Sequence, residues 1–313
     1  MKCVITGALG HIGSALIRKL PDLFDNPSIV MIDDLSTQRY ASLFNLPTTA
    51  SYEFIEGKVQ SVDWTKILKD ADVVIHLAAT TDASGTANKP ELVYDNNFSG
   101  TQAVAQACLL FGVPLIFPST TSVYGSQEKV VDELCAELQP QSPYADCKIK
   151  EESLLRQMCQ QEGLKVAICR LGTIYGISQG MRFHTAVNKF CWQAVVKQPL
   201  TIWETALDQK RPYLSLDDAV HALAWIVKNN LFTGEIYNIV TGNHTVRQVV
   251  SMIEESNGKC EISLVKHAIM NQLSYEVISD KFKTTGFTFS GSLKKGVEDT
   301  VCLIRNASKQ SVL

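Results

Sequence analysis

The feature that most constrains this 313-residue chain is a glycine-rich stretch near its start. A short apolar run, CVI at residues 3–5, predicts a buried strand, and an amphipathic segment from Ser14 predicts a helix. Between them lie three glycines with G-x-x-G-x-x-G spacing: Gly7, Gly10 and Gly13. They permit, in turn, a tight turn, a close approach of backbone to a pyrophosphate, and close packing of helix on strand. This pattern predicts a dinucleotide-binding unit.

The next segment supports that prediction. Residues 28–33 (SIVMID) form an apolar run that ends in Asp33, twenty residues beyond the last glycine. A carboxylate at that point accepts hydrogen bonds from the adenosine ribose and repels a 2′-phosphate. Asp34 is a second candidate for the role, and Arg39 lies close enough to favour a 2′-phosphate instead. We expect NAD rather than NADP.

Composition excludes several functional classes. The formal net charge of −3 provides no basic surface for nucleic acid. The apolar runs are too short for a membrane span, and with Met1 directly before the first strand we expect no signal peptide. The nine cysteines show no C-x-x-C pairs, so we expect reduced thiols, no metal site and a cytoplasmic location.

Strands and helices alternate over the first 172 residues, which predicts a doubly wound parallel α/β sheet. Further strands are expected over residues 52–56, 72–79, 114–118 and 166–171. Helices are expected over 90–112 and 142–162, the second with Ser142 as N-cap and Gly163 just after its end.

The regular alternation of strands and helices ends at residue 172. We expect helices over 185–196, 216–229 and 246–256, and strands over 200–203 and 235–239. We place a cofactor-binding domain at 1–172 and a smaller α/β substrate lobe at 173–313, with 214–240 returning to the first domain. The substrate is expected in the cleft between them.

Two side chains on the helix over 142–162 suggest proton transfer. Tyr144 and Lys148 lie four residues apart and share one helix face. A nearby cation, together with a positive nicotinamide ring, would lower the pKa of Tyr144 from about 10 towards neutrality. Such a tyrosine removes a hydroxyl proton while hydride leaves the same carbon. A chance pair on a solvated helix would have the same spacing.

A run of hydroxyl side chains, residues 119–122, follows the fifth strand and could hydrogen-bond the reacting oxygen, although turns often have this composition. Together, the stretches TGALGHIG, HLAA, YDNNFSGT, STTSVYG, SPYADCK and RPYLSLDDA resemble the extended short-chain dehydrogenase/reductases, and among these the nucleotide-sugar epimerases typified by UDP-glucose 4-epimerase. The resemblance implies a Rossmann domain, NAD, a nucleotide-diphosphate sugar as substrate, and a homodimer paired through residues 92–111 and 144–162.

The resemblance also implies roles for single residues. Proton transfer falls on Tyr144, the hydrogen bond to the reacting oxygen on Thr120, and contact with the cofactor ribose on Lys148. The clamp on the nucleotide diphosphate falls on Arg211, whose guanidinium suits bidentate contacts. The remaining cofactor contacts are expected at Gly7, Gly10, His11, Ile12, Gly13, Asp33, Asp34, Leu77, Ala78, Ala79 and Asn96.

The chain departs from the epimerase pattern at several substrate and cofactor positions. Lys58, Thr81 and Thr173 replace an aspartate, a lysine and an asparagine that contact adenine, the cofactor and the sugar nucleotide, respectively. Thr173 is nevertheless expected at the substrate. A second arginine for the diphosphate is not evident, and Lys266 or His267 lies near its place.

Relatives that dehydrate a 4-keto sugar, or act on uronates, usually carry an acid where this chain has Thr121 and Ser122, which disfavours dehydration. The leading hypothesis is an NAD-dependent nucleotide-sugar 4-epimerase. The first alternative is a 4-keto-sugar reductase or nucleotide-sugar dehydrogenase with exchangeable NAD(P). The second is a non-enzymatic NAD(H) sensor, which would have no reason to retain the three catalytic side chains.

Overall fold

The computed structural model of the protein describes residues 1–81, 90–127, 130–265 and 275–309. Twelve strands lie in these ranges: β1 (Lys2–Thr6), β2 (Ser28–Asp33), β3 (Ser51–Glu56), β4 (Val73–His76), β5 (Leu115–Thr120), β6 (Val166–Leu171), β7 (Thr173–Tyr175), β8 (Leu200–Trp203), β9 (Lys210–Ser215), β10 (Ile236–Ile239), β11 (Gly242–Thr245) and β12 (Ile262–Val265). Seven of them form one parallel sheet in the order β10-β6-β5-β4-β1-β2-β3. The predicted doubly wound α/β fold is confirmed.

The same ranges contain ten helices: α1 (His11–Leu23), α2 (Trp64–Ile67), α3 (Pro90–Val93), α4 (Ser99–Phe111), α5 (Pro143–Glu162), α6 (Ala186–Val195), α7 (Leu216–Lys228), α8 (Val246–Asn257), α9 (Asp280–Lys283) and α10 (Leu293–Lys309). A π-helical turn, Tyr94–Phe98, joins α3 to α4. None of the helices in the described ranges combines the length and apolar character needed to cross a bilayer.

Strand alternation divides the core into one apolar cluster on each face of the sheet. Ile5 of β1 packs in a cluster with Leu16 of α1 and Leu223 of α7. Its neighbour Val4 packs in a second cluster with Leu155 of α5. Because helices cover both faces, central strands such as β1 and β4 are buried on both sides.

The sheet reverses its order at β1, which has β2 on one side and β4 on the other. From β1 the chain first adds β2 and β3 on one side of the sheet and then returns to add β4 on the other side. At this reversal a crevice opens beyond the carboxyl ends of the strands. The turns after β1 and β4, residues 7–10 and 77–81, border this crevice. The fold therefore brings the glycine loop beside the stretch that follows β4.

Helix α1 begins three residues earlier than expected, at His11 rather than Ser14. Gly10 is its N-cap and provides no side-chain cap. The prediction for α5 is confirmed in detail, because the Ser142 hydroxyl accepts from Ala145 N at 3.2 Å and Gly163 closes the helix with φ of +84°.

The expectation of one helix and one strand over 173–213 was incomplete. Strands β7 and β9 were missed in that range, and together with β11, missed at residues 242–245, they form the small sheet β11-β9-β7. Their sequences are short and largely polar, and β9 contains Pro212, so none shows the alternation of a half-buried strand. Strands β8 and β12 pair separately, and α6, α8 and α10 share a third apolar cluster. The division into two domains at residue 172 stays a prediction.

Candidate active site

The glycine loop after β1 is packed too tightly for side chains. Gly7 has φ of +63°, and a Cβ there would lie 2.6 Å from the backbone of Leu77 and Ala78. A Cβ on Gly13 would lie 2.5 Å from the Gly7 carbonyl oxygen. The predicted residues at the ends of β1 and β4 are thus in backbone contact. With no side-chain cap at Gly10, the first amides of α1 are available to a pyrophosphate, and the loop fits a dinucleotide.

Asp33 at the end of β2 lies against this loop. Its carboxylate accepts from Leu9 N at 3.1 Å and from Leu35 N at 3.0 Å. Burial raises the pKa of Asp33, and the two amides and the nearby Arg39 guanidinium act against that rise. Asp34 instead accepts from Ser36 N at 3.0 Å and closes a local turn. Of the two predicted ribose acids, Asp33 is therefore the one held at the glycine loop.

The π-helical turn fixes the chain just beyond Ala79. Asn97 accepts from Thr80 N at 2.7 Å and donates to Thr80 O at 3.0 Å. Asn96, the predicted cofactor contact, donates to the Thr80 hydroxyl at 2.9 Å. Both amides thus hold the segment that borders the crevice.

Tyr144 and Lys148 lie on α5, close to the carboxyl end of β5. The Lys148 side chain is buried, with Nζ 4.3 Å from the centre of the Phe117 ring on β5 and 6.0 Å from that of Tyr144. The expected lowering of the tyrosine pKa is not found in the protein alone. Burial raises the pKa of Tyr144, and the Lys148 ammonium opposes that rise without outweighing it.

Thr120 ends β5, three residues after Phe117. Its hydroxyl accepts from Ser122 N at 3.2 Å and donates to Ser122 Oγ at 3.1 Å. The neighbouring Tyr275 has its pKa raised by burial, while Thr121, Arg211 and Ser122 act to lower it. Tyr275 therefore links the hydroxyl side chains just after β5 to the charge of Arg211 on β9.

Arg211 lies on the wall of a cavity of about 220 Å³. Its guanidinium is 5.6 Å from the centre of the Trp203 ring, and its Nε is buried without a hydrogen-bond partner among the described residues. The buried hydroxyl of Tyr213 is in the same situation. Further lining residues include Thr81, Thr173, His184 and Lys189. A cavity lined by an aromatic ring, cationic groups and hydrogen-bond donors without a partner is suited to a nucleoside diphosphate.

Residues 176–182, here called the strap, cross the start of α1. His11 Nε2 donates to the Gly176 carbonyl at 2.9 Å, and Gly180 N donates to the Ser14 hydroxyl at 2.8 Å. A Cβ on Gly180 would lie 2.3 Å from the Leu9 carbonyl oxygen. At its end, the Arg182 guanidinium donates to the Thr81 hydroxyl.

Sequence reasoning missed two charged residues of the site. Arg182 brings a cation to Thr81, the position where epimerases carry a lysine, and no local pattern connects two residues so far apart. Glu151 pairs with Lys148 at 3.2 Å. Its i,i+3 spacing from Lys148 was a usable signal. Lys266 and His267, the candidates for a second diphosphate cation, lie outside the described residues.

Comparison with known proteins narrows the class of reaction. A profile of the NAD dependent epimerase/dehydratase family matches residues 3–240. An uncharacterised UDP-glucose epimerase of Bacillus subtilis is 31% identical over 270 residues, which are 83% of this chain and 83% of that protein. The dTDP-D-glucose 4,6-dehydratase of Bos taurus is 29% identical over 318 residues, 96% of this chain and 87% of that protein.

Among solved structures, the UDP-glucuronic acid 4-epimerase from Bacillus cereus, in complex with UDP-glucuronic acid and NAD, has a TM-score of 0.89. It is 26% identical, and the match covers 98% of this chain and 100% of that one. The likeness therefore extends over both the seven-stranded sheet and the region around the cavity.

Proposed function

This chain belongs to the NAD-dependent epimerase/dehydratase family, and from that premise we propose that it is a nucleotide-sugar 4-epimerase. One observation carries the proposal. Lys148 Nζ lies 4.3 Å from the Phe117 ring and 6.0 Å from the Tyr144 ring, and Phe117 is on the strand that ends in Thr120. This arrangement supports grouping the proposed base, its cation and a hydroxyl at one strand. The protein is an enzyme and its cofactor is NAD, as in its solved relatives.

The three side chains have separate tasks in this proposal. Bound NAD supplies the chemistry of accepting a hydride from C4 and returning it to the opposite face of the sugar. Tyr144 accepts the C4 hydroxyl proton, and Thr120 holds the same oxygen by a hydrogen bond. Lys148 favours the tyrosinate by its charge, and its ammonium would hold the cofactor ribose. After the 4-keto sugar turns over in the cleft, Tyr144 returns the proton.

The cavity beside Arg211 is proposed to bind the nucleotide part of the substrate. Arg211 presents an unpartnered buried donor to the diphosphate, and Trp203 offers an aromatic face. Several solved relatives hold UDP-sugars, which makes UDP-hexoses and UDP-hexuronates the first substrates to test. Positions 121 and 122 offer hydroxyls rather than carboxylates, which favours epimerisation over dehydration.

A reductase is the second candidate, and Arg39 is the observation that favours it. Its guanidinium lies beside Asp33, where a cation can hold the 2′-phosphate of NADPH. Burial lowers the pKa of Arg39 and Asp33 acts against that, so the two charges compensate each other at the ribose position.

We propose that the enzyme works as a cytoplasmic homodimer. Leu92, Tyr94 and Leu110 expose large apolar side chains on the helical segment 90–111, a surface that association would cover. All nine cysteines lie in the described ranges as free thiols, which suits a reducing compartment. Light scattering of the purified protein measures the assembly directly.

Isotope labelling tests the reaction. UDP-glucose or UDP-glucuronic acid deuterated at C4 should keep its label in the 4-epimer, and added deuterated NADH should contribute none. If the sugar product instead gains deuterium from free NADH, the reductase assignment would replace the epimerase assignment. Tyr144→Phe should bind NAD yet lose about 10²–10⁴ in kcat, the usual contribution of a positioned base. Full activity in this variant would contradict both mechanisms.

A further inference from the structure

Helix α5 carries two consecutive buried carboxylates with different partners. Glu151 forms an ion pair with Lys148, at 3.2 Å between Oε2 and Nζ, and both side chains are at most 3% exposed. Glu152 is turned to the next strand, where it accepts from Arg170 at 2.7 Å and from Ser119 at 2.5 Å. Only the first of these carboxylates reaches the proposed catalytic lysine.

A directed chain of hydrogen bonds ends on Glu151. Thr101 must donate to the Glu151 carboxylate, 2.5 Å away, so it accepts from His76 Nε2 at 3.2 Å. Burial and the Lys148 charge lower the pKa of His76 to about 3, so the ring is neutral and its Nδ1 accepts from Thr6, 2.7 Å away. The Thr6 hydroxyl in turn accepts from Ala78 N at 3.2 Å. Thr101 thus donates to Oε1 of Glu151, and Lys148 is the cation that pairs with its Oε2 among the residues that the structure describes.

We propose that Glu151 is a positioning residue that keeps the buried Lys148 charged and holds its ammonium close to Tyr144. An isolated ammonium in an apolar setting loses its proton unless a counter-charge is supplied. Burial lowers the pKa of Lys148, and Glu151 leads the interactions that raise it above its usual value. The inference rests on the proposed function, in which that ammonium serves Tyr144.

The ionisable groups around Tyr144 determine the expected direction of the shift. Lys148 and Arg182 lower its pKa, whereas Glu151 and Cys147 raise it, and the effect of Lys148 is larger than that of Glu151. His76, which faces Lys148 from β4, stays neutral. Glu151→Gln should therefore leave Lys148 neutral, and the loss of its charge should move the titration of Tyr144 to higher pH.

Tyrosinate absorbance measures this without a sugar substrate. Each NAD-saturated protein is titrated with pH and compared with the same protein carrying Tyr144→Phe, so that the difference reports Tyr144. Glu151→Gln should shift the midpoint upward by at least about one pH unit. In a Lys148→Met background the same change should not raise the midpoint, because no ammonium remains for Glu151 to keep charged. An unchanged or lowered midpoint in the presence of Lys148 would overturn the proposal.

Glu152→Gln is the matched control, since it removes the adjacent buried carboxylate and should cost stability without moving the midpoint. If Glu151→Gln does not fold, Glu151→Asp, which keeps the charge but withdraws it from Lys148, should show a smaller shift in the same direction. An upward shift in a protein that epimerises none of the sugar nucleotides offered would reject the proposed function and leave this inference standing.

Discussion

The two sides of the cleft are built by different means. On the cofactor side, backbone packs on backbone, as where Gly13 approaches the Gly7 carbonyl and Gly7 approaches Ala78. On the substrate side, the cavity is walled by side chains such as Trp203 and Arg211, which come from separate strands. The cofactor side is therefore sensitive to added volume, whereas the substrate side is sensitive to lost functional groups.

The largest loss of NAD affinity is expected from Gly13→Ala. The new methyl group would lie 2.5 Å from a backbone oxygen that cannot move independently, so the loop must shift away from the position that suits a pyrophosphate. We expect NAD affinity to fall by at least about 100-fold, or roughly 3 kcal/mol. Calorimetric titration with NAD measures this.

Gly112→Ala is the control for Gly13→Ala. Gly112 has φ of +67° but no neighbouring atom within 4 Å of its Cβ position, so its replacement adds strain without a clash. It should cost about 1–2 kcal/mol of stability and leave NAD binding unchanged. Unaltered NAD affinity in Gly13→Ala would refute the tight-packing account of the cofactor side.

On the substrate side, Arg211→Ala should weaken UDP binding by about 2–5 kcal/mol, because a buried charge-assisted contact to the diphosphate is lost. NAD affinity should not change. Calorimetry with UDP measures the loss, and Arg247→Ala is the control, since its exposed pair with Asp208 lies in the same part of the chain. Intact UDP binding would remove Arg211 from the site.

Acid should destabilise the cofactor side, where two histidines are buried without charge. Burial lowers the pKa of His76 to about 3 and that of His11 to about 4. The unfolded chain binds protons near the usual value of about 6.5, so stability is full above that pH and falls as pH drops towards the folded values. Each histidine should contribute a loss of about 2 kcal/mol by pH 5.

Urea unfolding at pH 7, 6 and 5 checks this expectation. The stability of His76→Gln should fall less between pH 7 and pH 5 than that of the wild-type protein. Parallel curves for the two proteins would show that His76 takes up no extra proton on unfolding.

The smallest expected effect concerns the choice of cofactor. Asp33 should make the protein prefer NAD to NADP, and Asp33→Asn should narrow that preference by about tenfold, or 1.4 kcal/mol. Arg39→Ala should widen it, because the cation beside Asp33 is the group able to hold a 2′-phosphate. Paired titrations with both cofactors test the two variants, and equal affinities in the wild-type protein would contradict the role of Asp33.

The sequence could predict features with a local signal, but not features that depend on contacts between distant residues. Strands β2, β6 and β8 were bounded correctly because their apolar runs are local signals. Strands β7, β9 and β11 were missed because their pairing, not their composition, makes them strands. Among charged residues, Arg182 reaches Thr81 only through the fold, so a one-dimensional pattern could not reveal it.

The strand order also has a consequence during synthesis. β6 ends at Leu171, but its outer neighbour β10 ends at Ile239, 68 residues later. At translation rates of about 5–20 residues per second, the edge of β6 waits about 3–14 s for its partner. All six residues of β6 are buried in the finished protein, so during that interval a newly made chain displays an apolar, unpaired strand edge. The speed of elongation across 172–239, and the chaperones available meanwhile, therefore help to decide how much of the protein reaches the folded state.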